Sequence, residues 1–177
     1  MTDDPRRAGQ IQRWHTSPLS RPQSNAEHSW GVARILLFIH PSASRRMIME
    51  ALMHDIGEGR MGDIPYPAKR DSPTLARVAG RIEEESRRSM APWGIPLPRV
   101  SAHERWVLKM ADMLEMWETG VEEVARGNRL DGMRISRECE AFLQTSIGSA
   151  DPSKEAVARR VREYMSLRVK TTVETMS

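Results

Sequence analysis

Apolar residues recur at helical spacing along most of the chain, and no run alternates β-branched or aromatic residues with period two. A short helix is expected from Asp4, with Pro5 at its first position, ending near Trp14. Residues 16–22, with two prolines and several serines, read as a loop. Ser24-Asn25-Ala26-Glu27 then has capping-box spacing and opens a helix carrying Trp30, Val32, Ile35, Leu36 and Ile39, which Pro41 stops. A third helix is expected over 44–57, with Met47, Met49, Leu52 and Ile56 as its apolar positions. Residues 59–67 read as a loop, 73–90 as a mostly polar helix, and 91–98 as a proline-rich link. Three more helices are expected, over 102–125, 131–145 and 153–169, with a frayed tail after residue 170. The fold class is therefore all-α, and residues 1–177 read as a single domain, since neither side of the 91–98 link is large enough for a core of its own.

Composition narrows the function classes. No apolar run approaches the roughly 20 residues that cross a bilayer, and the N-terminal residues lack a signal-peptide core, so a cytoplasmic protein is expected. Cys139 is the only cysteine, which excludes an internal disulfide and a cysteine-based zinc site. It has no evident base beside it and reads as core packing. The methionines at helical spacing, such as Met110, Met113 and Met116, also read as core. Lys and Arg number 27 against 24 Asp and Glu, a net charge of +3. This mild excess suits an anionic ligand such as a nucleotide. The basic pairs Arg45-Arg46, Arg87-Arg88 and Arg159-Arg160 are short and scattered, so no stable nucleic-acid complex is expected.

The chemistry concentrates around His54-Asp55 and Glu58. On a continuous helix His54 and Asp55 would point about 100° apart, with Glu58 one turn on along the same edge. Three ionisable groups beside Leu52, Met53 and Ile56, all expected to be buried, would be costly without a partner or metal. Imidazole and carboxylate together suit divalent zinc, manganese, iron or cobalt. A structural polar cluster at a helix end is the alternative reading. Two further candidates are His28, in the first turn of its helix, and Asp112, in the apolar run Met110-Ala111-Asp112-Met113-Leu114. Taken alone, His28 could be a half-buried helix histidine and Asp112 a solvated aspartate. His15 could line a pocket or lie on the surface, while His40 and His103 sit at helix ends with no evident partner.

The order His28, His54-Asp55, Asp112 resembles that of the HD-domain phosphohydrolases. The similarity is closer to small bacterial 5'-deoxynucleotidases and to related phage enzymes that hydrolyse dATP. It rests on Arg13-Trp14, Ala26-Glu27-His28-Ser29, His54-Asp55-Ile56-Gly57-Glu58, Gly62-Asp63-Ile64-Pro65 with Lys69 after it, and Lys109-Met110-Ala111-Asp112. The resemblance implies a compact HD-domain helical bundle. It implies that His28, His54, Asp55 and Asp112 hold a divalent metal (zinc, cobalt or manganese), and that Glu58 orients or deprotonates water. By the same resemblance Arg13 and Lys69 would contact phosphate, Trp14 the sugar or base, and Asp63 the sugar 3'-hydroxyl or a second ion such as magnesium. It also implies a homo-oligomer.

The loop Ser17-Pro18-Leu19-Ser20-Arg21-Pro22 departs from the bacterial monophosphatases, whereas Arg13-Trp14-His15-Thr16 and Glu27-His28-Ser29-Trp30-Gly31-Val32 are more similar to the phage branch. The leading expectation is therefore a dATP or dNTP triphosphohydrolase, acting in a host cytoplasm if phage-encoded. A 5'-deoxynucleotidase acting on dNMPs is the second reading. A non-catalytic nucleotide sensor need not keep Glu58, and a DNA-binding regulator would need a basic recognition helix that is not evident.

Overall fold

The computed structural model describes residues 4–89 and 99–176. The proline-rich link expected at 91–98 and Met90 lie outside these residues. Helix α1 (Pro5–Gln10) begins where Asp4 accepts the Arg6 N–H at 3.0 Å. It ends four residues short of Trp14, because the chain turns into a strand, β1 (Gln12–Arg13), that pairs antiparallel with β2 (Gln23–Ser24). The register sets Gln12 opposite Ser24 and Arg13 opposite Gln23. This small sheet is the one departure from an all-helical pattern among the described residues, and period-two reading cannot detect strands of two residues.

Helix α2 (Asn25–Ile39) opens on the expected capping box, with Ser24 and Glu27 each capping the other's backbone N–H. Helix α3 (Arg45–Met53) starts at the Ser44 cap and stops before the His-Asp pair. Residues 54–57 form tight turns, with Ile56 N–H on Met53 C=O at 3.1 Å and Glu58 N–H on Asp55 C=O at 3.0 Å. Helix α4 (Glu58–Met61) follows. The continuous helix expected over 44–57 is thus corrected to two helices with a tightened junction, which re-aims His54 and Asp55. Helices α5 (Tyr66–Asp71) and α6 (Pro73–Ser89) then lead to α7 (Ala102–Ala125), α8 (Arg129–Gly148), a 3-10 turn (Pro152–Lys154) and α9 (Glu155–Met176).

The core lies where α2, α3, α7, α8 and α9 meet, and includes Ile35, Leu36, Ile39, Met47, Met110, Leu114, Ile135, Leu143 and Val161. Burying each such side chain is worth about 1.5–3 kcal/mol relative to exposure. Helices α7 and α8 touch backbone to backbone: a Cβ on Gly120 would lie 2.7 Å from Ser136 N and 2.9 Å from Gly132 O. A smaller cluster of Ala8, Ile56 and Met53 seats α1 beneath the 54–57 turn. Two expected core residues are instead exposed, Trp30 at 65% and Leu52 at 43%. Trp30 is about 200° around α2 from His28 and so takes the outer face, where the Arg34 guanidinium stands 5.7 Å from its ring centroid. Leu52 follows Ala51, which occupies the inward position on α3. Among the described residues, no helix is long and apolar enough to cross a membrane.

Candidate metal centre

Helix α2 delivers His28 to the centre of the bundle, where its side chain is fully buried. The tightened end of α3 delivers His54 and Asp55, and the middle of α7 delivers Asp112. Their ligand atoms converge. His28 Nε2 is 3.3 Å from His54 Nε2, 3.2 Å from Asp112 Oδ1 and 3.8 Å from Asp55 Oδ2. His54 Nε2 is 3.3 Å from Asp55 Oδ2 and 4.0 Å from Asp112 Oδ1. Donors about 2.0–2.1 Å from one tetrahedral ion stand about 3.3 Å from each other. The ligand atoms of His28, His54 and Asp55 all lie within 4.8 Å of one another and could hold an ion, with Asp112 beside His28 at the edge of that group.

The hydrogen bonds behind the two imidazoles decide what their inner nitrogens can do. His28 Nδ1 lies 2.5 Å from Glu115 Oε2, and a carboxylate there requires the proton on Nδ1. His54 Nδ1 donates to Ala51 C=O at 2.9 Å. In their neutral forms both imidazoles therefore turn Nε2 lone pairs towards each other and towards two carboxylates, an acceptor-only arrangement that a divalent cation would satisfy and that, for His28, a second ring proton satisfies otherwise. The carboxylates are held from outside: Arg13 Nη1 donates to Asp55 Oδ2 and Lys109 Nζ to Asp112 Oδ2, each at 2.7 Å.

The charges follow this arrangement. Burial works against the anion of Asp112, but Lys109 and His28 outweigh it and hold the carboxyl well below its usual range. Asp55 is lowered in the same way, with burial opposed by His54 and Arg13. Burial and Arg13 disfavour the His28 imidazolium, yet Glu115 and Asp112 raise it to about 9. A divalent ion would meet the same demand for positive charge without a proton.

Glu58, at the start of α4, is 4% exposed. Burial first, then Asp55 and Asp63, push its carboxyl up to about 8, with Arg13 and Asn25 pulling the other way. Asn25, itself 2% exposed, donates to Glu58 Oε2 at 2.6 Å and accepts from Arg13 Nη1 at 3.3 Å. Arg13 thus spans Asp55 and Asn25, and its buried Nε has no hydrogen-bond partner among the described residues. Asp63 lies in the turn after α4, with Oδ2 3.6 Å from His15 Nδ1. Trp14 Nε1 donates to Gln23 Oε1 at 2.8 Å. Lys69 stands half-buried on α5, and no hydrogen bond or ion pair among the described residues joins it to this cluster.

Glu115, Gln23 and Asn25 did not stand out in the sequence. Glu115 carries a faint signal, since it falls one helical turn after Asp112 in an apolar segment. It reaches His28 because α2 has Gly31 at the crossing, where a Cβ would stand 2.8 Å from Glu115 Cγ. Asn25 and Gln23 had no signal beyond their closeness to His28.

Residues 7–120 match the family model described as HD domain, and the chain belongs to that family. It is similar to a 5'-deoxynucleotidase of Vibrio parahaemolyticus, with 28% identity over 84% of this chain and 92% of that one. A 5'-deoxynucleotidase of Photorhabdus laumondii is likewise 28% identical, over 72% of this chain and 75% of its own. Among solved structures, the HD phosphohydrolase DatZ of cyanophage S-2L, bound to dA and one catalytic zinc ion, superposes with a TM-score of 0.64. Its identity is 22%, over 95% of this chain and 94% of that one. An HD-domain phosphohydrolase of Listeria innocua superposes with a TM-score of 0.70 at 20% identity, over 94% and 85% of the two chains. Family and centre together define a hydrolase of the HD-domain class.

Proposed function

We propose that this protein is a metal-dependent phosphohydrolase of deoxynucleotides, with dATP or other dNTPs as the leading substrates. The observation that carries the reading is the convergence of His28, His54 and Asp55, with Asp112 3.2 Å from His28 and the buried carboxyl of Glu58 held close by through Asn25. His28, His54, Asp55 and Asp112 would hold the ion, with zinc, cobalt or manganese favoured by the nitrogen and oxygen donors. When bound, the ion supplies Lewis-acid stabilisation of the charge on the phosphoryl oxygens.

The chain's own residues do the rest. Glu58, with its carboxyl near neutrality, takes a proton from the attacking water, and Asn25 fixes the orientation of its carboxylate. Arg13 turns a guanidinium with a spare Nε donor to the phosphate. Trp14 contacts sugar or base. Asp63 contacts the sugar 3'-hydroxyl or a second ion such as magnesium, and Lys69 adds a phosphate contact from α5. The core shared by α2, α7, α8 and α9 supports treating residues 1–177 as one HD unit.

A second reading, a 5'-deoxynucleotidase acting on dNMPs, is supported by the names of the Vibrio and Photorhabdus relatives. Incubating the protein with each dNTP and dNMP, plus cobalt, manganese or zinc, and resolving the products separates the two. Deoxyadenosine with triphosphate from dATP supports the first, and phosphate released from dNMPs alone supports the second. No cleavage with any metal overturns both.

A further inference from the structure

Trp14 is the one non-glycine residue with a positive φ among the described residues, at 62°. The left-handed region is unfavourable for a bulky aromatic side chain and persists where surrounding contacts over-determine it. The β1–β2 register places Gln23 opposite Arg13, next to this residue. Gln23 Oε1 accepts from the Trp14 indole N–H at 2.8 Å. Its amide nitrogen donates to Glu115 Oε1 at 2.7 Å and to Thr119 Oγ1 at 3.3 Å. The orientation of the amide is forced, because an indole N–H only donates and a carboxylate only accepts. The other oxygen of Glu115 is the one that faces His28 Nδ1. A single side chain thus joins the strained residue next to Arg13 to the carboxylate behind His28.

We propose that Gln23 is a positioning residue for substrate: it clamps Trp14 in its left-handed conformation and ties the nucleoside contact to the shell around the metal. The proposal rests on the reading of Trp14 as a contact to sugar or base. Loss of the clamp lets the 14–22 loop relax and weakens nucleoside binding, more than it weakens chemistry at a phosphate ester that has no nucleoside.

The test compares wild type, Q23M, W14F and the double variant, all loaded with cobalt. Met keeps the length of Gln and its apolar stem but makes neither hydrogen bond. Phe keeps a ring but lacks the indole donor, so W14F tests the clamp even where Q23M folds poorly. In 15N-resolved NMR spectra of the same proteins loaded with diamagnetic zinc, the indole N–H signal missing from W14F is assigned to Trp14. It is expected to move upfield and exchange faster in Q23M. KM for the deoxynucleotide is expected to rise about five- to tenfold in each single variant, the effect of about one lost hydrogen bond. The loss of kcat/KM is expected to be larger on the deoxynucleotide than on bis(p-nitrophenyl) phosphate. Q23M is expected to add less than about twofold in the W14F background, since both act through one bond.

An unchanged indole signal and KM in Q23M overturns the proposal. So do equal losses on both substrates that add to those of W14F, which would place Gln23 behind Glu115 alone. If the wild type cleaves only the generic ester, the deoxynucleotide reading fails by itself, and the indole signal still decides whether the clamp exists.

Discussion

Glu115 Oε2 and His28 Nδ1, 87 residues apart in the chain, lie 2.5 Å from each other in the centre of the bundle. That contact fixes the tautomer of the neutral imidazole and leaves Nε2 facing His54 and Asp112, where it could serve as a metal ligand. Replacing Glu115 by Gln keeps the shape but removes the charge. Metal affinity, read by competition with a chromogenic chelator, is expected to fall about 10–100-fold, with helix content by circular dichroism retained. Gly31→Ala is expected to act in the same direction, because the new methyl would stand 2.8 Å from Glu115 Cγ. A Glu115→Gln protein with wild-type affinity would show that His28 is oriented without the carboxylate.

Asp55 and Glu58 are three residues apart and differ in surroundings. Asp55 faces both imidazoles, whereas Glu58 is held by Asn25. Asp55→Ala is expected to lose both metal and phosphate release. Glu58→Ala is expected to keep the metal, measured by elemental analysis of dialysed protein, and to lose about 10²–10⁴-fold in kcat. Normal turnover in Glu58→Ala would remove that residue from the mechanism.

Glu123 ties the 14–22 loop to α7 by accepting from Ser20 N at 2.7 Å, Ser20 Oγ at 2.6 Å and Asn128 Nδ2 at 2.8 Å. Burial works to raise its pKa, but the Ser20 bonds outweigh it, with Asn128 and Arg126 adding to them, and the carboxyl is lowered. A lowered carboxyl stabilises the fold fully above its unfolded value of about 4.3, and this contribution is lost as pH falls through the folded value. Urea unfolding of wild type and Glu123→Gln is expected to differ by about 1–3 kcal/mol at pH 7. The gap is expected to close as pH falls below about 4.3. A gap independent of pH would assign Glu123 a neutral packing role.

Cys139 is buried in the core against α7, and burial, with Asp112 and Glu138 acting in the same direction, pushes its thiol up to about 12. At pH 8 the folded protein is expected to resist iodoacetamide, with labelling appearing only as urea unfolds it. Rapid labelling of the native protein would contradict the burial.

Much of the fold was legible because its signals are local. The Ser24 capping box, the Pro41 stop and the helical spacing of Ile35, Leu36 and Ile39 are short-range physics, and the expected 102–125 helix coincides with α7. The junction at 54–57 was misread as continuous helix. Nothing in Met53-His54-Asp55-Ile56 disfavours a helix, and the break comes from packing against α1 and α6, where Ile56 meets Ala8 and Gly57 lies against Glu83. The pairing of residues 12–13 with 23–24 was missed because two-residue strands have no period to read.

By itself the sequence set His54, Asp55 and Glu58 together on an apolar segment, while His28 and Asp112 joined them only through the resemblance to the HD-domain phosphohydrolases. It also determined the all-α class, since periodicity and capping act within a few residues. Only the tertiary structure decided that the ligand atoms of His28, His54 and Asp55 lie within 4.8 Å of one another, with Asp112 beside His28. Only it brought Glu115, Gln23 and Asn25 behind them. Those contacts cross 33 to 92 residues of chain, and no short-range pattern encodes a hydrogen bond of that span.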